Sequence, residues 1–294
     1  MSAGQAEGTA LVFSALGLLA LGRRLGLKDK PVFLAAGATC RVYRVGETVL
    51  RIGQGRFVVD SELRRALVRL GVPVAAPRAV GEGWSLDALV TGSAVRELSG
   101  DQARQVGAAL AALHSLPVSG WGLLRDQAGP FVAVAPALRE GIQTRLLDAW
   151  PFGTTPLKRH PLIRFAPDLA RPIRLLEADL LALADAPSVI NHSDLHREQL
   201  HFEAGRLSGL LDFGDAVAGP PGWDAASFAY FWGWRRLPAF LAGYGQPNLE
   251  NQARLMAVPL AFHRASRAVL EPSRLRRAAS YLRAALTSSR TPAS

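Results

Sequence analysis

The sequence predicts an α+β protein of two lobes sharing one cleft, a small strand-rich lobe followed by a larger, mostly helical one. Three observations lead there. The chain has 294 residues, beyond the usual span of one packed domain. Short apolar strands cluster before Val90, whereas stretches with helical apolar spacing dominate the rest. Finally, a polar segment from Asn191 to Asp215, NHSDLHREQLHFEAGRLSGLLDFGD, places acids and an amide on a loop that runs into a hairpin.

In chain order, the apolar run Thr9 to Leu21 comes first. It is shorter than the ~20 apolar residues needed to span a bilayer. No basic segment precedes it and no clear cleavage site follows, so it reads as a helix docked on the small lobe. Pro31–Leu34 and Cys40–Arg44 read as strands around residues 35–39, and Glu47–Ile52 as a third strand. The small-residue turn with Gly37 suits a lid whose backbone N–H groups face a phosphate chain; an ordinary hairpin turn is the alternative. Asp60–Leu70 is helix-like, Val72–Pro77 an extended linker, and Trp84–Gly92 a strand ending in a turn.

Asp101–Ser115 has helical spacing at Val106, Ala109, Leu110 and Leu113. Between Trp121 and Ala186 the motifs stop. Pro172–Ala184 reads as one helix, with breaks at Pro151, Pro156, Pro161 and Pro167. Ser188–Ile190 reads as a buried strand, and Gln199–Phe202 with Arg206–Leu211 as a hairpin turning at Glu203-Ala204-Gly205. Tyr230–Tyr281 is largely helical, and Thr287–Ser294 reads as a tail. Phe228, Tyr230, Trp232 and Trp234 fit either core packing or a pocket wall.

The formal charge of +10 invites a nucleic-acid reading. That would need basic residues gathered with exposed aromatics on one face, and here the arginines are scattered. A basic protein also repels polycations at long range, which argues for a neutral, anionic or apolar small-molecule partner. The single Cys40 cannot form an intrachain disulfide and points to a reducing cytoplasm. Neither a nucleic acid nor a membrane is expected as a partner.

The chemistry lies between Asn191 and Asp215. A carboxylate at Asp194 can accept a proton from a substrate hydroxyl, while the Asp212 carboxylate and the Gln199 amide oxygen can hold Mg²⁺ against nucleotide phosphates. The hairpin would carry Asp212 back beside the loop bearing Asp194. Solvated loop carboxylates, or helix caps at Asp215 and Asp224, are the alternative. His192 and His114 read as structural histidines, and His196 and His201 as ordinary polar residues.

His192-x-Asp194, Gln199, a hairpin and Asp212-Phe213-Gly214-Asp215, continuing to Gly219-Pro220-Pro221-Gly222-Trp223-Asp224, resemble the catalytic segment of the aminoglycoside phosphotransferase and choline kinase-like family. The specific motifs cover only about Ile190 to Asp224, although the likeness extends over nearly the whole chain. The resemblance implies a protein-kinase-like fold, with a nucleotide-binding lobe over residues 1–90 and a catalytic and substrate-binding lobe over residues 91–294. It implies Arg51 at the position of the phosphate-steadying lysine, oriented by an ion pair with Glu62, and a turn at Gly37 over the phosphates.

The expected activity is transfer of the γ-phosphoryl of ATP or GTP, with Mg²⁺, to a small-molecule hydroxyl. Gln199 departs from the family's asparagine and Pro220 from a frequent aspartate. A weakly active or inactive binder of nucleotide or metabolite therefore stands beside the kinase.

Overall fold

A computed structural model describes residues 15–37, 39–268 and 271–287. Helix α1 (Ala15–Arg24) is the described end of the apolar N-terminal run, and residues 9–14 lie outside the described residues. Its Leu21 joins Val45, Leu50, Ile52, Trp84 and Leu86 in a small apolar cluster, so this part of the run is docked on the small lobe. No helix among the described residues is long and apolar enough to cross a membrane.

Strands β1 (Val32–Ala36), β2 (Cys40–Val45), β3 (Thr48–Gly53), β4 (Pro77–Gly81) and β5 (Trp84–Ala88) form an antiparallel sheet in the order β1-β2-β3-β5-β4. On the central strand β3, Leu50 and Ile52 are buried on one face and Arg51 points to the other. Helix α2 (Phe57–Arg69) begins before the expected start at Asp60 and buries Leu63 and Leu67.

The larger lobe follows the short strand β6 (Ser93–Ala94). Ser99 and Gln102 form a reciprocal capping box that starts α3 (Gly100–His114), and Val106, Ala109, Leu110 and Leu113 face inward as their spacing requires. Next come β7 (Val118–Ser119), β8 (Trp121–Leu124), β9 (Phe131–Ala135), α4 (Leu138–Gln143) and α5 (Pro161–Phe165). The single helix expected over Pro172–Ala184 is instead α6 (Ala170–Leu175), α7 (Glu177–Leu181) and a 3₁₀ turn over Ala182–Asp185. Leu175 and Leu181 are exposed there, so the apolar residues do not share one inward face that would hold a long helix together.

Strand β10 (Val189–Asn191) pairs with β13 (Val217–Gly219), which pairs in turn with β8, a pairing the sequence does not announce, while β11 (Leu200–Glu203) and β12 (Arg206–Leu210) form the expected hairpin against β6. Ala204 and Gly205 both take positive φ at its tip, as a tight two-residue turn demands. Helices α8 (Gly222–Trp232), α9 (Leu237–Tyr244), α10 (Leu249–Ser266) and α11 (Pro272–Thr287) close the lobe. Trp223, Tyr230, Phe262 and Leu282 lie in its large core. Residues 288–294 of the expected tail lie outside the described residues.

Candidate active site

The loop after β10 is clamped from below by one buried carboxylate. Asp224, in the first turn of α8, accepts the backbone N–H groups of His192 (2.7 Å) and Ser193 (2.8 Å) and the His114 Nε2–H (3.1 Å). Asp224 is thus neither the helix cap that its position suggested nor a group open to substrate; it is fully buried and holds the loop. The clamp fixes Ser193 at φ 71°, in the left-handed region that ordinary residues avoid. His192 donates from Nε2 to the Leu211 carbonyl at 2.7 Å and lays its ring edge on Phe213. His192 and His114 are therefore structural, the latter also bonded to the Tyr244 hydroxyl at 2.7 Å.

Above this clamp the Asp194 side chain is 26% exposed. Arg264 Nη2 donates to it at 3.0 Å, while Arg145 Nη2 lies at 3.8 Å and His196 Nε2 at 3.9 Å. Burial pushes the Asp194 carboxyl up, but these three neighbours outweigh it and hold it below the usual carboxylate range. Arg145 also pairs with Asp215 at 3.1 Å. Sequence reasoning passed over Arg145 and Arg264 because they come from distant segments and sit in no local motif.

Asp212 takes φ 61°, and its Oδ2 accepts from Gln199 Nε2 at 3.3 Å. Gln199 Nε2 also lies 3.0 Å from His196 Nε2. A continuous row of side chains, Asp194–His196–Gln199–Asp212, therefore joins the two carboxylates across the mouth of the loop. His196, expected to be an ordinary polar residue, sits in the middle of it. Gln199 thus turns its amide nitrogen, not the oxygen expected to ligate a metal, toward Asp212. One carboxylate and one amide are too few to cage a metal alone, and no group of three or more His, Cys, Asp or Glu suited to a metal occurs among the described residues. The donor types nonetheless fit a hard cation such as Mg²⁺, which takes its remaining ligands from phosphates and water.

The ion pair expected between Arg51 and Glu62 does not form. Arg51 pairs with Asp60 and, at 3.0 Å, with Asp87; Glu62 turns aside to Arg65 at 2.5 Å. The helix geometry explains the difference. Asp60 lies on the same stripe of α2 as Leu63, Arg64 and Leu67, which faces inward, while Glu62 falls off it. Asp87 shares a face of β5 with Ser85, the residue paired with Arg51 across the sheet. Burial lowers the affinity of Arg51 for its proton, but Asp60, Asp87 and, further off, Asp212 outweigh it and raise it. Asp212 thus lies near enough to Arg51 to favour its charged form.

Gly37 N–H donates to the Cys40 carbonyl at 2.8 Å, so it closes the β1–β2 hairpin and is not free to receive a phosphate. Ala38 of the same turn lies outside the described residues. The glycine that close packing requires in this region is Gly53, where a Cβ would strike the Thr39 carbonyl and Cys40 Cα.

A cleft of about 370 Å³ opens beside the loop, walled by His196, Arg197 and Glu198 on one side and by Phe231 and Trp232 of α8 on the other. Of Phe228, Tyr230, Trp232 and Trp234, Phe228 stacks on Phe240 in the core, Tyr230 packs edge-on against Tyr281 and Trp234 stacks on Tyr281, leaving Trp232 to line the cleft.

This architecture is similar to solved antibiotic kinases. A thermostable mutant of aminoglycoside phosphotransferase APH(4)-Ia, in ternary complex with ADP and hygromycin B, superposes with a TM-score of 0.63 at 16% identity, covering 93% of this chain and 98% of that one. Macrolide 2'-phosphotransferase MphH from Brachybacterium faecium gives 0.58 at 18%, covering 95% and 98%. The streptomycin–ATP–APH(2'')-IIa ternary complex gives 0.58 at 16%, covering 92% and 96%. No curated protein matches the chain. The fold is therefore the two-lobed, protein-kinase-like one. Residues 32–258 match the phosphotransferase enzyme family, and the chain belongs to it.

Proposed function

We propose that the chain is a small-molecule kinase that moves the γ-phosphoryl of a nucleoside triphosphate, ATP in the first instance, to an acceptor hydroxyl. The row from Asp194 through His196 and Gln199 to Asp212 supports this most, because it sets a carboxylate for the acceptor beside a carboxylate and amide for a metal-bound phosphate chain. Family membership and the nucleotide complexes of the similar structures point the same way. The hinge between the lobes would fall near Val90, between the five-stranded sheet and β6.

Asp194 orients the acceptor hydroxyl. Asp212 and Gln199 would hold Mg²⁺, which neutralises charge on the phosphates when bound. Arg51, fixed by Asp60 and Asp87, steadies the phosphates as a permanently charged planar fork. The acceptor oxygen forms a bond to the γ-phosphorus as the bond from that phosphorus to the β,γ-bridging oxygen breaks. The nucleoside diphosphate leaves with the electron pair, and the hydroxyl proton passes to Asp194 and on to solvent.

Turnover of ATP with a library of hydroxylated metabolites and antibiotics, with and without Mg²⁺, tests this reading. Transfer that needs Mg²⁺ and falls by roughly 10²-fold or more in a folded Asp194→Asn variant supports it. Nucleotide binding with no turnover above that variant would instead make the chain a binding protein.

A further inference from the structure

The cleft beside Asp194 is built of cations. Arg96, Arg197 and Arg277 line it, and Arg264 and Arg145 stand at Asp194 itself. Against these five stand Glu198 in the cleft and, beside it, Asp194 and Asp215, the two carboxylates that Arg145 faces. Two positive charges are in excess. The one cleft carboxylate is already engaged, since Glu198 meets His196 Nδ1 at 2.7 Å and Arg197 Nε at 3.2 Å.

The arginines, by contrast, have capacity left. Arg277 is exposed and, among the described residues, donates to the Tyr230 carbonyl at 3.0 Å and pairs with no carboxylate. Arg96 is exposed with no ion pair among the described residues. Arg264 Nε is buried without a hydrogen-bond partner. Arg264 and Arg277 also lie over the Phe231 ring, at 5.0 and 5.7 Å, which holds their charge at the cleft wall.

Resting on the kinase reading above, we infer that the acceptor is an anionic hydroxylated small molecule, a phosphate ester or a carboxylate, held by Arg96, Arg277 and Arg264 with its hydroxyl toward Asp194. A polyamine acceptor would need several free carboxylates here, and both Glu198 and Asp194 are already paired with cationic side chains of the protein. Arginine is the side chain suited to such a ligand, because its fork meets carboxylate or phosphate oxygens in pairs.

Binding read by ligand-observed NMR, with Mg²⁺ and AMP-PNP saturating the donor site, tests the inference without needing turnover. The probes are D-glucose 6-phosphate, D-gluconate, D-glucose and hygromycin B. At least one anion should bind about tenfold or more tightly than glucose, with no hygromycin B signal; which anion wins separates phosphate ester from carboxylate. Arg277→Gln and Arg96→Gln, both surface changes checked for folding by Tm, should each reduce that margin severalfold, and Arg277→Glu should abolish it. Glucose or hygromycin B binding as well as the anions, neither anion binding, or a margin that survives all three variants would overturn the inference. Failure of the kinase reading looks different: AMP-PNP itself would not bind, while the charge preference among the probes would still be measurable.

Discussion

Asp60 in α2 accepts the backbone N–H of Phe213 at 2.9 Å through one carboxylate oxygen while the other receives Arg51 and Arg64. One buried side chain thereby couples the small-lobe helix, Arg51 and the segment carrying Asp212. Arg56 reinforces the joint by donating to the Gly214 carbonyl at 3.1 Å, and Asp126 accepts the Val59 N–H at 2.9 Å. The backbone beside Asp212 is therefore held in place by the small lobe.

Removing the charge at Asp60 leaves two buried guanidinium groups short of a partner. Burial pushes its carboxyl up, but Arg51 and Arg64 overcome this and bring it down to about 2. Asp60→Asn should cost roughly 3 kcal/mol in urea denaturation and weaken nucleotide binding. Glu62→Gln, which breaks only a partly exposed pair with Arg65, should change stability by less than ~0.5 kcal/mol. Equal losses in the two variants would contradict this assignment of the Arg51 partner.

Arg264 sets the proton affinity of Asp194. With Arg264→Gln the carboxyl loses its nearest cation, so its pKa rises toward the ordinary range. The acid limb of the kcat–pH profile should move to higher pH in this variant, while an unmoved limb would detach that limb from Asp194.

In the proposed reaction Gln199 would turn its amide oxygen to the metal. Gln199→Leu should raise the Mg²⁺ concentration for half-maximal turnover by about tenfold, the order expected for losing one ligand or its support. Titration of activity with Mg²⁺ at fixed ATP measures this. A variant with unchanged Mg²⁺ demand would place the amide outside the coordination sphere.

His160 makes stability depend on mild acid. Its Nδ1 accepts the Leu162 N–H at 3.2 Å, so the hydrogen sits on Nε2, which meets Ser266 Oγ at 2.9 Å. Burial lowers its pKa to about 4, against a smaller opposing effect of Asp148. Between about pH 6.5 and 4 the unfolded chain holds a proton that the folded chain refuses, so stability falls as pH falls through that window and is fully present above it. The loss amounts to at most ~3 kcal/mol. His263, brought to about 3 mainly by burial, acts in the same direction. Tm should drop between pH 7 and 5, and the drop should shrink in His160→Gln.

The strand, loop and hairpin from Ser188 to Asp215 were legible because their demands are local. A strand, a polar loop and a hairpin with a Glu203-Ala204-Gly205 turn must follow in order, and short-range backbone preferences enforce them whatever surrounds the segment. The strands of the small lobe and the α3 helix followed from the same kind of signal. Glu62 shows where such reasoning stopped. The choice between Glu62 and Asp60 depended on which face of α2 meets the sheet, and the inward stripe shared by Asp60, Leu63, Arg64 and Leu67 was the sequence signal that would have decided it.

By itself, then, the sequence determined the architecture and the order of acid, amide and acid along one segment, because periodicity, turns and caps act over a few residues. Only the tertiary structure decided what surrounds those groups. Arg145 follows α4, Arg264 lies in α10, and Arg96 and Arg277 stand far apart in the chain, yet they gather at one carboxylate and one cleft. Convergence of that kind comes from packing of α8, α10 and α11 into a shared core, and no local pattern encodes it.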